Sequence, residues 1–385
     1  MAKKSLLRRA GVLAATLATS LLVSAQAAEP IKIGSFLSVT GPASFLGDPE
    51  LKTLEMYVEK INEEGGVLGR PLELIHYDDV GDASNARNFA GRLIRSDRVD
   101  IIVGGSTTGA TMAAAPLVKQ ARIPFISLAG AVTIVDPVQE WVFKVPQSDR
   151  MAAERILWDM RRRGFDKIGL ISGTGGFGAS GRKQTLAVAS EYGIEVVADE
   201  TYGPSDSDMT AQLTNIRNTE GVDAILNFGF GQGPAIVTKN YASLDIDLPF
   251  YQSHGVASNA FLDLAGDAAE GLRLPASPIL IPNSLPEDDP QKDVVQSYTQ
   301  DYRDHWGSRV STFGGYAYDG LMLAVQAIEA AGTTDKAAVR DELENIMGFV
   351  GVTGIFNMAP DDHNGLTPES FRILEVKDGD WMLVE

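Results

Sequence analysis

The stretch Asp100-Ile101-Ile102-Val103-Gly104-Gly105-Ser106-Thr107-Thr108-Gly109-Ala110-Thr111 decides the fold. Asp100 to Val103 is a short β-branched run of the kind buried on both faces of a parallel sheet. The paired glycines turn the chain, Thr111 to Gln120 reads as a helix, and Pro124 to Ser127 reads as the next strand. A strand, a tight turn and a helix leading to another strand form a βαβ unit, whose strands run parallel because the helix carries the chain back. In such units ligands collect beyond the carboxyl ends of the strands, and the unpaired N–H groups of a starting helix attract anions. Ser106, Thr107 and Thr108 add hydroxyls at that place and are candidate ligand contacts. Thr108 also fits a plainer role, as the cap of its own helix.

Outward from this unit the same alternation continues in both directions. Ile31 to Phe36 reads as a strand, Thr40-Gly41-Pro42 as a turn, and Leu51, Leu54, Met56, Tyr57 and Ile61 as one helix ended by Gly65-Gly66. Leu72 to Tyr77 reads as a strand and Ala83 to Arg95 as a helix. After Trp141-Val142-Phe143-Lys144-Val145-Pro146 a second series begins. Its strands are Lys167 to Ser172, Glu195 to Ala198, Ala224 to Asn227 and Leu248 to Gln252, each separated from the next by a helical segment. One sheet holding all of these strands would be unusually wide. The fold class is therefore α/β, with two Rossmann-like lobes built on parallel central sheets. Beyond Gly271 to Pro275 the alternation lapses into three helical stretches, near Asp289 to His305, Phe313 to Ala331 and Asp335 to Ile346, before strands at Phe371 to Val376 and Trp381 to Val384. Late helices without strands of their own imply that the chain returns to cover the first lobe. Lobe 1 is expected over residues 28–146 and 275–350, and lobe 2 over 147–274 and 351–385.

The N-terminus carries Lys3, Lys4, Arg8 and Arg9, then an apolar run from Ala10 to Val23, then Ser24-Ala25-Gln26-Ala27. That order is the pattern of a secretory signal with a cleavage site after Ala27, so residues 1–27 are expected to be removed and the remainder to reside in a periplasm. The apolar run is shorter than a bilayer span, and no cysteine is present to take a lipid, so no membrane anchor is expected. The formal charge of -18 would become -22 on losing those four basic residues, and such acidity argues against binding to nucleic acid or to an anionic lipid surface.

Further candidate positions follow from the same geometry. Ser127-Leu128-Ala129-Gly130-Ala131 leaves a strand as a run of small residues, which suits a backbone-lined pocket wall, and Leu46 could line the same mouth. Gly173-Thr174-Gly175-Gly176-Phe177-Gly178 is a G-x-G-x-x-G turn between a strand and a helix, with Asp199 and Glu200 about twenty residues on. It supports a second reading, an exported dinucleotide-dependent oxidoreductase. A diffusible nicotinamide is out of place in an exported protein, and the turn would equally serve a two-lobed binder's cleft. Phe177, Phe228 and Phe230 stand at strand ends in the second lobe, where rings either pack in the core or face a cleft. His76, His254, His305 and His363 are scattered without metal-ligand spacing, and neither a G-x-S-x-G elbow nor a cysteine nucleophile occurs. No metal, cofactor or catalytic activity is expected.

In combination, Ile31-Lys32-Ile33-Gly34, Thr40-Gly41-Pro42, Ile61-Asn62 with Gly65-Gly66, Tyr77-Asp78-Asp79, the strand and loop to Thr108, Ile126-Ser127 and Ala268-Ala269-Glu270-Gly271 resemble the periplasmic branched-chain amino-acid-binding family, the type I solute-binding proteins of ABC importers. The resemblance covers essentially the whole chain beyond the signal. It implies two α/β lobes joined by three hinge crossovers, a monomer that encloses an acid ligand, and an inner-membrane ABC permease as partner. It also implies that Thr108 stands at the carboxylate-binding hydroxyl and that Ala129, Gly130 and Ala131 form the loop contributing backbone groups. Phe177 and Phe230 stand where the family commonly has tyrosines or acidic residues. A sensor serving a membrane receptor would share this fold and ligand.

Two departures bear on the ligand. Ala131 replaces the threonine that often helps hold an ammonium, and neither Phe230 nor Gln252-Ser253-His254-Gly255 offers the acid that would pair with it. A buried ammonium lacking its carboxylate costs on the order of 3–5 kcal/mol. The expected ligand is therefore a small organic acid without an amino group, aromatic in the manner of a benzoate or phenylpropanoid. Thr108 and neighbouring amides would hold its carboxylate, Phe177 and Phe230 its ring, and His254 an oxygen. Branched-chain amino acids and 2-keto acids are the alternative.

Overall fold

The computed structural model describes residues 29–384. The expected signal segment, residues 1–27, lies outside the described residues. The first lobe is built on a five-stranded sheet ordered β2-β1-β3-β4-β5, all parallel, from β1 (Ile31–Leu37), β2 (Leu72–Asp78), β3 (Ile101–Gly104), β4 (Phe125–Ser127) and β5 (Val142–Lys144). Helices α1 (Ser44–Glu63), α2 (Ala83–Arg92) and α3 (Thr108–Ala121) connect its strands. Every residue of β3 is buried, as its unbroken apolar run requires at the centre of a sheet covered on both faces.

The second lobe follows α4 (Asp149–Arg162) and contains β6 (Lys167–Gly173), α5 (Gly176–Val188), β7 (Glu195–Tyr202), α6 (Thr210–Asn218), β8 (Ala224–Phe228), α7 (Gln232–Ser243), β9 (Phe250–Gln252), α8 (Asn259–Ala265) and β10 (Arg273–Ala276). The chain then forms α9 (Lys292–Trp306), α10 (Thr312–Ala331) and α11 (Lys336–Glu344), the small hairpin of β11 (Phe349–Val350) and β12 (Ile355–Phe356), and finally β13 (Arg372–Lys377) and β14 (Asp380–Leu383). The second sheet has seven strands in the order β14-β13-β10-β9-β8-β6-β7. It is parallel from β7 to β10, but β13 and β14 run antiparallel. Only Asp378 and Gly379 separate those two strands, both at positive φ, and so short a turn can only return the chain antiparallel.

The late helices return to the first lobe, and α10 lies against its sheet. A Cβ on Gly320 would stand 3.1 Å from Val103, 3.3 Å from Leu128 and 3.4 Å from Val145, so the missing side chain is what lets helix and sheet approach. The chain thus passes between lobes after β5, after β10 and again before β13. Side chains tie the first and third passages together. Gln147 Nε2 donates to the Thr353 carbonyl at 2.7 Å, and Asn364 Nδ2 donates to the carbonyls of Lys144 and Pro146, each at 3.1 Å. Asp319 of α10 accepts from the backbone N–H groups of Val352 at 2.7 Å and Thr353 at 2.8 Å.

Candidate ligand cleft

The hydroxyl-rich loop after β3 resolves into three different roles. Thr107, with extended backbone, caps α3 by accepting from the Ala110 N–H at 3.1 Å. The Ser106 hydroxyl is committed inside the lobe, accepting from the Ser38 N–H at 3.0 Å and donating to the Glu50 carboxylate. Burial raises the Glu50 pKa well above the usual range, with the Ser106 bond opposing that shift. Thr108 differs from both. It is only 6% exposed, and its Oγ1 has no hydrogen-bond partner among the described residues. The capping role open to Thr108 from sequence falls to Thr107, which leaves the Thr108 hydroxyl free.

The turns of the second lobe supply the facing wall. Phe177 enters from the first turn of α5, Phe230 from the β8–α7 turn and His254 from the short turn after β9. The rings of Phe177 and Phe230 lie 6.1 Å apart at 68°, and those of Phe177 and His254 lie 5.2 Å apart at 80°, both edge to face. Phe228 is fully buried and supports Phe177 from behind, with ring centroids 5.4 Å apart. His254 is 3% exposed and its imidazole meets no side-chain hydrogen-bond partner. Its pKa falls to about 3, first through burial and then through the charge of Lys144, while the Gln147 backbone acts in the opposite sense. The ring is therefore neutral at physiological pH, with one donor and one acceptor to offer. Burial likewise pushes the Lys144 amine down; it donates to the Pro146 carbonyl.

These walls line a cleft between the lobes. Of the positions singled out in the sequence as candidate ligand contacts, Leu46, Ser106, Thr107, Thr108, Gly130, Phe177, Phe230 and His254 line it. Ala129 and Ala131 do not; both are buried in the first-lobe core. Leu128 and Gly130 of the same loop do line it. Gly255, beside His254, also lines it, and Phe313 and Tyr316, at the start of α10, and Pro146 complete the lining and were not anticipated. Phe313 and Tyr316 carried no site signal beyond their place in a late helix. No Asp, Glu, Lys or Arg is among the lining residues.

The glycine-rich turn does not present a free acidic residue for a ribose. Asp199 is engaged by Arg182, whose Nε lies 2.8 Å from Oδ1, and Glu200 accepts from Asn215 at 3.0 Å. The cavity is thus suited to a compact ligand with an apolar body and an acceptor group placed near Thr108.

The family profile of periplasmic binding proteins matches residues 30–380. Over 375 residues the chain is 25% identical to the leucine-, isoleucine-, valine-, threonine-, and alanine-binding protein of Pseudomonas aeruginosa, covering 97% of each. An extracellular ligand-binding receptor from Rhodopseudomonas palustris HaA2 superposes with a TM-score of 0.86 at 29% identity, over 92% of this chain and 99% of that one. The branched-chain amino acid transporter substrate binding protein LivJ of Streptococcus pneumoniae, in complex with isoleucine, shares the fold with a TM-score of 0.81 at 24% identity, over 92% of this chain and 99% of LivJ. With a profile match across nearly all of the described residues and two lobes that meet around one cavity, the chain belongs to the periplasmic binding protein family.

Proposed function

We propose that this chain is the periplasmic receptor of an ABC importer, capturing a small carboxylate between two closing lobes and presenting it to an inner-membrane permease. The ligand is an aromatic acid of the benzoate or phenylpropanoid type. One observation carries this reading: the buried, unpartnered Thr108 hydroxyl at the start of α3 faces a cavity walled by aromatic rings and free of acidic side chains. A carboxylate there gains a charge-assisted hydrogen bond, worth about 1.5–3 kcal/mol, and the helix N-terminus adds to it. An α-ammonium placed beside it would find no carboxylate in the lining. His254, neutral, suits an uncharged or anionic oxygen better than a cation. Residues 28–146 with 277–350, and 147–276 with 351–385, act as the two closing bodies of a monomer, the expected boundary at 275 moving by two residues because Pro275 and Ala276 pair within the second sheet; export after cleavage at Ala27 supplies the compartment.

The names of the relatives favour a second reading, a branched-chain amino acid as ligand. Calorimetric titration separates the two. Benzoate, 3-phenylpropanoate, phenylpyruvate, 4-methyl-2-oxopentanoate and leucine are each titrated into residues 28–385. The aromatic acids are expected to bind most tightly; leucine binding tighter than every acid returns the assignment to the amino acids.

A further inference from the structure

The glycine-rich turn at 173–178 is accounted for by neither a nucleotide nor the first-lobe carboxylate contact. It faces an adjoining, wider opening, which meets the inner cleft at Thr107, Thr108, Phe177 and Phe230. Although the chain carries 51 acidic residues, no charged side chain among the described residues lines either space. What lines the wider one instead are the turns that open α3, α5 and α7, so three helix N-termini converge on uncharged walls. Two of them are opposed at close range across the lobes. A Cβ on Gly176 would stand 3.5 Å from Thr108 Cγ2 and 3.8 Å from the Gly109 nitrogen.

The start of α5 is bare in a way its geometry does not require. Gly178 has no room for a side chain, since a Cβ there would collide with the Gly173 carbonyl. Gly175, the N-cap, has φ -66° and ψ 166°, ordinary for any capping residue, and a Cβ there would meet nothing. Ser, Asp or Asn at that position would fit and would stabilise the helix, yet α5 has no side-chain cap. Its first N–H groups are thereby left to another acceptor. Opposite them stands the unpartnered Thr108 hydroxyl, 94% buried and lining both spaces, which also calls for an acceptor.

We infer that the Gly173–Gly178 turn is the second half of an anion clamp, in which the first N–H groups of α5 take the same carboxylate that Thr108 and α3 hold. The inference rests on the carboxylate reading above. One anion between two helix ends of like sign removes their mutual repulsion and attracts both, so the ligand's charge itself draws the lobes together. Closure in this arrangement depends on the acid group, and the apolar body selects among acids.

The test uses G175D and G175N in the chain spanning residues 28–385, titrated calorimetrically with whichever compound of the five-member panel the wild type holds most tightly, leucine included. Every member carries a carboxylate, so the ring assignment can fail without touching this test. Asp at 175 places a resident carboxylate over the α5 N–H groups; Asn caps them without charge. Both variants are expected to melt above the wild type without ligand. G175D is expected to lose about tenfold or more in affinity and G175N a smaller factor. Affinities of both variants within twofold of the wild type would overturn the clamp while leaving the proposed function standing. A wild type that binds no member of the panel would contradict both.

Discussion

Gly130 of the first lobe lies so close to Phe177 of the second that a methyl group at 130 would stand 2.9 Å from the ring and 3.0 Å from His254 Nε2. The lobes touch at this point, and only the absence of a side chain permits it. G130A is therefore expected to oppose closure while leaving each lobe intact. An overpacking cost of about 1–3 kcal/mol confined to the closed state weakens binding roughly 5- to 150-fold. Solution scattering should show less ligand-induced compaction than in the wild type. Unchanged affinity and compaction would show that the contact is not made in the bound state.

T108V separates binding from stability. The Oγ1 atom has no partner among the described residues, so replacing the hydroxyl by a methyl costs the ligand-free fold nothing and removes an unsatisfied buried group. The expected outcome is a melting temperature equal to or above that of the wild type, with carboxylate affinity reduced by about tenfold or more. Loss of stability together with affinity would make Thr108 a structural residue instead.

His254 gives a pH dependence with a definite sign. Its folded pKa, about 3, lies below the ordinary 6.5, so the folded state binds fewer protons than the unfolded one between those values. The stability it contributes is present above pH 6.5 and is lost as pH falls toward 3. At pH 5 the loss relative to pH 8 is about 2 kcal/mol, on an order-of-magnitude basis. His76, lowered to about 4 by burial, acts in the same direction. Denaturant unfolding at pH 8 and pH 5 should therefore show the wild type losing more stability than H254Q; parallel losses would mean that His254 is protonated in the folded state.

Asp319 tests how the lobe passages are held. It is fully buried, and burial lifts its pKa to about 7 against the three bonds that favour its charged form, from Thr353 Oγ1 and the N–H groups of Val352 and Thr353. D319A leaves two buried N–H groups without their acceptor, at about 1–3 kcal/mol each. Chemical denaturation should register a loss of several kcal/mol; a change below about 0.5 kcal/mol would place the anchoring of this passage elsewhere.

Much of this architecture was legible in the residues themselves. The β-branched run at 101–103, bounded by turn residues, reads as a buried strand, and its repetition points to the wholly parallel first sheet and the parallel part of the second. The antiparallel edge was not read: the Asp378-Gly379 turn accounts for the β13–β14 hairpin, whereas the antiparallel pairing of β13 with β10 depends on where the returning chain docks. In the cleft, loop ends of the strands were readable because topology places them there. Ala129 and Ala131 were not separable from Gly130 by composition, since side-chain direction in the loop depends on its backbone. Ser106 and Thr108 differ only in which of them meets Glu50 and Ser38, residues distant in sequence. Phe313 and Tyr316 reach the cavity only because α10 packs on the first lobe, a tertiary event with no local sign.

The most direct measurement is calorimetric titration of residues 28–385, freed of ligand by unfolding and refolding, with leucine and with the aromatic acids under one condition. A carboxylate without an amino group is expected to bind most tightly, with leucine at least tenfold weaker. Leucine binding tighter than every acid would contradict the reading of Thr108, Phe177, Phe230 and His254 as a site for an amine-free aromatic acid.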